Sequence, residues 1–97
     1  MKAYEVMLIL DHALDEEAMV ATLDKVKGVI TTGTGTVDAE DPWGKRKMAF
    51  EIDGHTEGNY VVLQFHAPVE AVAELDRVLH ITDPVVRYMI VRRDDLE

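Results

Sequence analysis

The chain of 97 residues contains no cysteine, so disulfide bridges, thiolate nucleophiles and cysteine-based zinc sites are excluded. Nothing therefore indicates an oxidising compartment, and the cytoplasm is the expected location. A long hydrophobic run is also missing. The apolar stretch that starts near Tyr4 meets Asp11 after about six residues, whereas a membrane span needs roughly 20. We therefore expect neither export nor membrane insertion.

Sequence motifs typical of enzymes are absent as well. The chain has no G-x-S-x-G, H-E-x-x-H, P-loop or dinucleotide-binding pattern, and Gly33-Thr34-Gly35 is typical of a helix-to-strand turn rather than a phosphate cradle. The histidines lie in different segments without the spacing of metal ligands; they are His12, His55, His66 and His80. We predict no catalytic residue, no metal site and no cofactor, and we do not expect an enzyme.

Positive charge is scarce, because 10 Lys and Arg residues face 19 Asp and Glu residues and give a net charge of −9. A general polyanion binder is therefore excluded. Most of the basic residues are concentrated in two short segments, Lys45 to Lys47 and Arg87 to Arg93. This concentration indicates directed contact with an anion such as a nucleic acid. Protection of an exposed sheet edge is the alternative explanation for the first segment.

The apolar share of 47% with 30% charged residues is typical of one folded domain, here residues 1–97 with a short acidic end at 94–97. Alternation predicts a first strand over 4–10, a bent strand over 35–53 that Pro42 confines to a sheet edge, a strand over 59–66 and a last strand over 85–91. Residues 53–58 are predicted to form the loop of a hairpin.

Two amphipathic helices are predicted between the strands. The first begins after Asp15 as N-cap and runs to about Thr31, and the second begins near Pro68 and is ended by Asp83-Pro84. Their apolar faces recur at helical spacing; they comprise Met19, Leu23, Val26 and Ile30 in the first helix and Val69, Val72, Leu75 and Leu79 in the second.

The resulting order βαββαβ predicts an α+β, ferredoxin-like fold, in which a four-stranded antiparallel sheet carries both helices on one face. Right-handed crossovers place the first and third strands at the centre. The uncovered face is too apolar for water and is predicted to be a docking surface; its residues are Met7, Ile9, Val62, Met89 and Val91. Glu5 lies on the same face, where it either anchors a basic partner or is an ordinary strand-end charge.

Three segments, in this order along the chain, resemble the bacterial small-subunit ribosomal protein S6 family: Tyr4-Glu5-Val6, the run from Trp43 to Phe50 (WGKRKMAF) and the run from Asp83 to Arg92 (DPVVRYMIVR). The resemblance extends over almost the whole chain. It implies a ferredoxin-like structural protein of the ribosome, which binds the central domain of small-subunit ribosomal RNA as a heterodimer with ribosomal protein S18.

The resemblance also implies site residues, since Lys2 and Tyr4 match a basic and an aromatic position, Arg46 matches the motif arginine, and Arg87 and Arg92 match basic positions of the last strand. Together with the charge pattern this predicts an RNA-binding set and a partner-binding set. The RNA-binding set is Lys2, Tyr4, Lys45, Arg46, Lys47, Arg87, Arg92 and Arg93. The partner-binding set is Glu5, Met7, Ile9, Val62, Met89 and Val91.

Two other classes of function remain open. One is a small ferredoxin-like enzyme, either an acylphosphatase-like hydrolase, which the acidic loop Asp11 to Asp15 disfavours, or a monooxygenase that would use His66. The other is a ligand-binding module that forms a homodimer through its uncovered sheet face. The sequence also leaves open whether Trp43 stacks on a base or packs within the protein.

Overall fold

A computed structural model of the protein describes the backbone of residues 1–52 and 55–96 and the side chains of residues 1–47 and 56–96. The elements are β1 (Lys2–Asp11), α1 (Glu16–Thr32), β2 (Thr36–Ile52), β3 (His55–Ala67), α2 (Val69–Ile81) and β4 (Val85–Arg92), followed by a 3-10 turn, Asp94–Leu96. Neither α1 nor α2 is long and apolar enough to cross a membrane. Asp53 and Gly54 of the predicted loop, and Glu97 of the predicted acidic end, lie outside the described residues.

The strands form one sheet in the order β2-β3-β1-β4, with every neighbouring pair antiparallel. β1 and β3 therefore lie at the centre, and β2 and β4 form the edges. This confirms the predicted ferredoxin-like architecture and its strand order. A βαβ unit whose two strands are separated by a third, antiparallel strand is the arrangement that right-handed crossovers produce from this element order.

The hydrophobic core lies between the sheet and the two helices. Val6, Leu8 and Leu10 of β1 are fully buried on this side, and Val61, Leu63 and Phe65 of β3 alternate in the same way. The helices contribute Leu23, Val26 and Ile30 from α1 and Ala71, Leu75 and Leu79 from α2. The period-two and helical patterns of the sequence thus converge on one contiguous core.

The prediction that Val69 of α2 belongs to the core is wrong. Val69 is 66% exposed, whereas Ala71 and Val78 are buried. The face of α2 that meets the sheet is centred on Leu75, and Val69, six residues earlier, lies about 120° away from Leu75 around the helix axis. The valine at the first helical position therefore points into solvent although it fits the helical spacing of the apolar residues.

The helices are fixed by contacts at their ends and along their sides. Asp15 caps α1, since its Oδ1 accepts a hydrogen bond from the Ala18 amide at 2.7 Å. At the other end of α1, Gly33 lies against α2 so closely that a Cβ would stand 2.5 Å from the Ala71 Cβ. Tyr88 of β4 donates its hydroxyl to Asp76 Oδ1 at 2.6 Å, and this bond raises the pKa of the tyrosine.

Strand β2 is an edge strand, as Pro42 predicted, because proline has no amide to donate to a ladder. Its pairing with β3 shifts register between Pro42 and Gly44, and Gly44 has a φ of +79°. That conformation favours glycine, so the bend has a cause in the sequence. The bend separates an acidic half of β2 from the basic run Lys45 to Lys47.

The predicted loop over 53–58 is too long, because β3 already begins at His55. Gly58 is a strand residue that pairs with Asp11 of β1 on one side and Arg46 of β2 on the other. A Cβ at Gly58 would stand 2.4 Å from Ile9 Cγ2. The glycine is therefore explained by close packing beside β1 rather than by a turn.

Two glycine substitutions should change stability in opposite directions. Gly58→Ala forces the stiff β-branched side chain of Ile9 to move and should destabilise the fold by about 1–3 kcal/mol. Gly28→Ala lies in α1, where a Cβ would have no neighbour within 4 Å, and should stabilise by about 0.5–1 kcal/mol. Urea unfolding of both variants measures these changes, and a stabilising Gly58→Ala would contradict the packing argument.

Candidate functional site

The face of the sheet opposite the helices, hereafter the open face, carries all six residues of the predicted partner-binding set. Glu5 pairs with Val91 and Met7 with Met89 between β1 and β4, while Met7 also lies beside Val62 of β3. Met89 is 49% and Val91 37% exposed, but Ile9 and Val62 are only 7% exposed each. The strand register therefore joins these residues into one patch, with its accessible apolar surface toward β4.

Trp43 extends the open face at the β2 edge. Its indole stacks on Tyr60, with ring centroids 6.3 Å apart and planes within 2° of parallel. The indole Nε1 donates a hydrogen bond to Asp41 Oδ2 at 3.0 Å, and the residue remains 42% exposed. Trp43 thus packs on its own chain through Tyr60 and still presents indole surface to the outside. The stack was not predicted, because the bulge at Pro42 to Gly44 sets the pairing of Gly44 with Tyr60.

Glu5 is the acidic centre of the open face. Its Oε1 accepts hydrogen bonds from Arg93 Nη1 at 2.8 Å and Gln64 Nε2 at 3.3 Å. Arg93 also donates to both carboxylate oxygens of Asp95, and this pairing raises the pKa of Arg93 and lowers the pKa of Asp95. Glu5 therefore shares its arginine partner with a second carboxylate, so one positive charge serves two negative ones.

The basic run is fully on the surface. Lys45, Arg46 and Lys47 are all exposed and pair with Asn59, Gly58 and Glu57 of β3, respectively. Arg46 Nε donates a hydrogen bond to the Trp43 carbonyl at 3.3 Å, which links the run to the aromatic stack. Met48 to Phe50, which complete the sequence motif, lie outside the residues whose side chains are described.

The structure divides the predicted basic residues differently from the sequence. Gly44, Tyr60, Ile9 and Arg87 lie in one row across the four strands, so Arg87 lies at the same end of the sheet as Lys45, about 14 Å away across three strand spacings. Arg92 pairs with Tyr4, at the other end of β1. The basic segment Arg87 to Arg93 of the sequence therefore does not form one cluster, because four residues of extended strand lie between Arg87 and Arg92.

Two basic groups result from this division. The first comprises Lys45, Arg46, Lys47 and Arg87. The second comprises Lys2, Arg92 and Arg93, at the end of the sheet where β1 begins. Arg92 forms an ion pair with Asp94 at 2.8 Å, so both arginines of the second group have carboxylate partners in the chain.

Tyr4, which the resemblance placed among the RNA-binding residues, is part of the core. It is 9% exposed, and its ring stacks on Phe65 with centroids 5.7 Å apart. The parity of β1 puts it on the helix side with Val6 and Leu8. At this exposure, little of the ring is accessible to a nucleobase, so Tyr4 is not among the proposed RNA contacts.

The ionisable groups that a small enzyme would need are engaged in structural contacts. His66 Nδ1 lies at hydrogen-bond distance from Asp38 Oδ2. In the acidic loop, Asp11 Oδ1 accepts from the Ala13 amide at 2.9 Å and Asp15 caps α1. Within the described part of the chain, no group of three or more His, Asp or Glu residues is placed to hold a metal ion.

Comparison with known proteins gives consistent results. Residues 3–92 match the family model described as ribosomal protein S6. The small ribosomal subunit protein bS6 of Clostridium botulinum strain Langeland is 49% identical over 94 residues, which is 97% of this chain and 100% of that protein. The bS6 protein of Clostridium perfringens strain SM101 is 48% identical over 97% of this chain and 99% of its own length.

Solved structures agree with these matches. The crystal structure of 30S ribosomal protein S6 from Thermotoga maritima superimposes with a TM-score of 0.92 and 31% identity, over 98% of this chain and 90% of that one. The P2 domain of the chemotaxis kinase CheA, solved with the response regulator CheY, gives a TM-score of 0.65 at 20% identity over 95% of this chain and 98% of its own. The second likeness shows the fold alone.

The contacts of Arg93 predict how the 3-10 turn after β4 is held. Replacing the side chain by Arg93→Gln removes the pairs to Glu5 and Asp95 and should lower the melting temperature. The difference from the wild type should shrink as salt is added, because exposed ion pairs are screened. The matched variant Arg92→Gln removes the pair to Asp94 and leaves Glu5 and Asp95 bound to Arg93, so it should have the smaller effect. Equal losses would show that Arg93 has no special part in fixing this turn.

Proposed function

Because the chain belongs to the ribosomal protein S6 family of the small ribosomal subunit, whose members are structural proteins rather than enzymes, we propose that it binds the central domain of small-subunit ribosomal RNA as a heterodimer with ribosomal protein S18. The observation that carries this proposal is the joint placement of an accessible apolar face and a basic group at one end of the same sheet. The site of action is then the ribosome in the cytoplasm.

The open face is the proposed S18 surface. Met89 and Val91 are large apolar side chains in contact with solvent, and patches of this kind mark interaction sites. The net charge of −9 favours a partner rich in lysine and arginine, because complementary charge accelerates association and selects partners. Such a partner also supplies RNA affinity that this acidic chain lacks.

The first basic group is the proposed principal RNA contact. Lys45, Arg46, Lys47 and Arg87 lie on one end of the sheet, and three of them lie on an exposed edge strand that can follow a phosphate backbone. Contacts of this type position the RNA and add salt dependence, with little base specificity. Lys2, Arg92 and Arg93 form a second, weaker contact, since both arginines already have carboxylate partners.

Edge protection remains the alternative role of the basic run, and the position of β2 at a sheet edge fits it equally well. The role of Arg87 separates the two explanations. This arginine lies on β4 at the opposite edge, so it has no part in protecting β2. A loss of RNA affinity on its removal would favour the RNA contact.

Self-association is the second candidate function of the open face, and the exposure of Met89 and Val91 favours it in the absence of a partner. A homodimer through this face would make S18 a competitor rather than a ligand of the dimer. Sedimentation of the purified protein with and without S18 distinguishes the two arrangements, because formation of the heterodimer should dissociate any homodimer.

The experiment that tests the RNA role is salt-dependent binding to a central-domain RNA fragment, with and without S18. We expect weak binding by the chain alone and strong binding by the pair, with affinity falling as salt increases. The double variant Arg46→Gln/Arg87→Gln should reduce the magnitude of the logarithmic salt slope of the pair by about 1–2.

The matched control is Lys25→Gln/Arg77→Gln, which removes the same charge from the exposed surfaces of α1 and α2. Its salt slope should equal that of the wild type. Equal slope changes in both double variants would assign the effect to net charge and contradict the proposed contact. Tight, salt-insensitive RNA binding by the chain alone would contradict the heterodimer.

A further inference from the structure

A cavity of about 280 Å³ opens on the open face, between β2, β3 and β1. Its walls include Met7, Val62 and Trp43, and the carboxylates of Glu5 and Asp41 lie at its rim. Pockets for drug-sized ligands have volumes of about 300–1,000 Å³, so this cavity lies just below the lower end of that range and has room for one long side chain.

Each of the two carboxylates has one oxygen engaged within the chain. Glu5 uses Oε1 for Arg93 and Gln64, and Asp41 uses Oδ2 for the Trp43 indole. The other oxygens, Glu5 Oε2 and Asp41 Oδ1, remain as acceptors for a donor that enters the cavity. Arg93 divides its charge between Glu5 and Asp95, and no basic residue lines the cavity, so the cavity is negatively charged.

The indole of Trp43 adds an aromatic wall to this acidic rim. Tyr60 stacks on one face of the indole, and the residue remains 42% exposed and borders the cavity. A cation that approaches an indole is attracted by the ring, and a long basic side chain can pack its apolar stem on Met7 and Val62. The cavity therefore combines the three elements that select a long cationic side chain: carboxylates, an aromatic ring and apolar walls.

Arginine fits this combination better than lysine. Glu5 and Asp41 lie diagonally across β3, in neighbouring rows of the open face, about 12 Å apart along the sheet surface. A planar, forked guanidinium can donate in two directions and stack on the indole, whereas an ammonium is a compact and strongly hydrated point charge. The guanidinium also loses less hydration energy when it enters an apolar cavity.

From this geometry we infer that the cavity is a socket for one arginine side chain of a basic protein partner, held between Glu5 and Asp41 and against Trp43. Because the partner is the one assigned to the open face above, the inference rests on the proposed function. The socket excludes a phosphate, which both carboxylates repel, and so separates the protein-binding part of the sheet from the basic run that begins at Lys45.

The single tryptophan makes the socket directly measurable, since all tryptophan fluorescence comes from Trp43. The wild-type protein is titrated with N-acetylarginine methylamide and, in parallel, with the neutral isostere N-acetylcitrulline methylamide and with uridine monophosphate. We expect a saturable fluorescence change with the arginine compound, binding at least about fivefold weaker with the citrulline compound and no saturable change with the nucleotide.

Asp41→Asn is the variant of choice, because its amide oxygen can still accept the hydrogen bond from the Trp43 indole. This substitution should weaken the binding of the arginine compound about fivefold. Asp24→Asn removes the same charge from the exposed surface of α1 and should leave the affinity unchanged. Glu5→Gln should act as Asp41→Asn does, with its melting curve recorded because Glu5 also holds Arg93.

The inference is overturned if Asp41→Asn and Asp24→Asn weaken binding equally, since the effect would then be general charge. It is also overturned if the nucleotide binds more tightly than the arginine compound, which would make Trp43 a base-stacking platform. Failure of the proposed function gives a different result: the wild type then binds neither S18 nor RNA, yet the arginine titration and its Asp41→Asn effect persist. If the wild type binds S18, but Asp41→Asn changes neither the affinity for the arginine compound nor the affinity for S18, then the socket is wrong and the proposed function stands.

Discussion

The two helices cover only one face of the sheet, and both the core and the open face depend on this arrangement. β1 and β3 at the centre carry fully buried side chains toward the helices, such as Leu8, Leu10 and Leu63, while the alternate residues face outward. A slip of one residue in register would exchange the two faces, so the core strongly specifies the pairing. The same alternation places Met7 and Val62 side by side on the open face, where they have no helix to cover them.

Acidic and basic residues are concentrated on different surfaces of this fold. The outer surfaces of the helices and the first half of β2 are acidic, whereas the second half of β2 carries Lys45 to Lys47. The bend at Pro42 to Gly44 lies at the boundary, so one strand presents opposite charges on either side of a bulge. A chain of net charge −9 can thereby offer one surface to a basic protein and another to a polyanion.

Periodicity predicted what the backbone ladder and the core determine: the element order, the edge position of β2 and the two faces of β1. It failed at Val69 and at residues 55–58, where the outcome depends on the rotation of α2 against the sheet and on the packing of Gly58 beside Ile9. Neither contact leaves a local signature in the sequence.

For the candidate site, strand alternation predicted that Met89 and Val91 share one face of the sheet, and the strand register places both on the open face. Alternation also predicted that Glu5 lies on this face, but not its pairing with Arg93, which lies 88 residues away along the chain. The core position of Tyr4 followed from its alternation with Val6, but the family motif and the alternation pointed to different roles for this residue. The stack of Trp43 on Tyr60 required knowledge of the bulge.

Strands β2 and β3 continue beyond the end of β1. The pairing of β1 with β3 ends at Asp11 and Gly58, whereas β2 and β3 remain paired at Lys47 with Glu57 and again at Ile52 with His55. Lys47 therefore lies on a two-stranded arm that has no third strand beneath it. Because Lys47 is exposed on this arm, its charge can be tuned over evolution, or by engineering, at little risk to the folding of the domain.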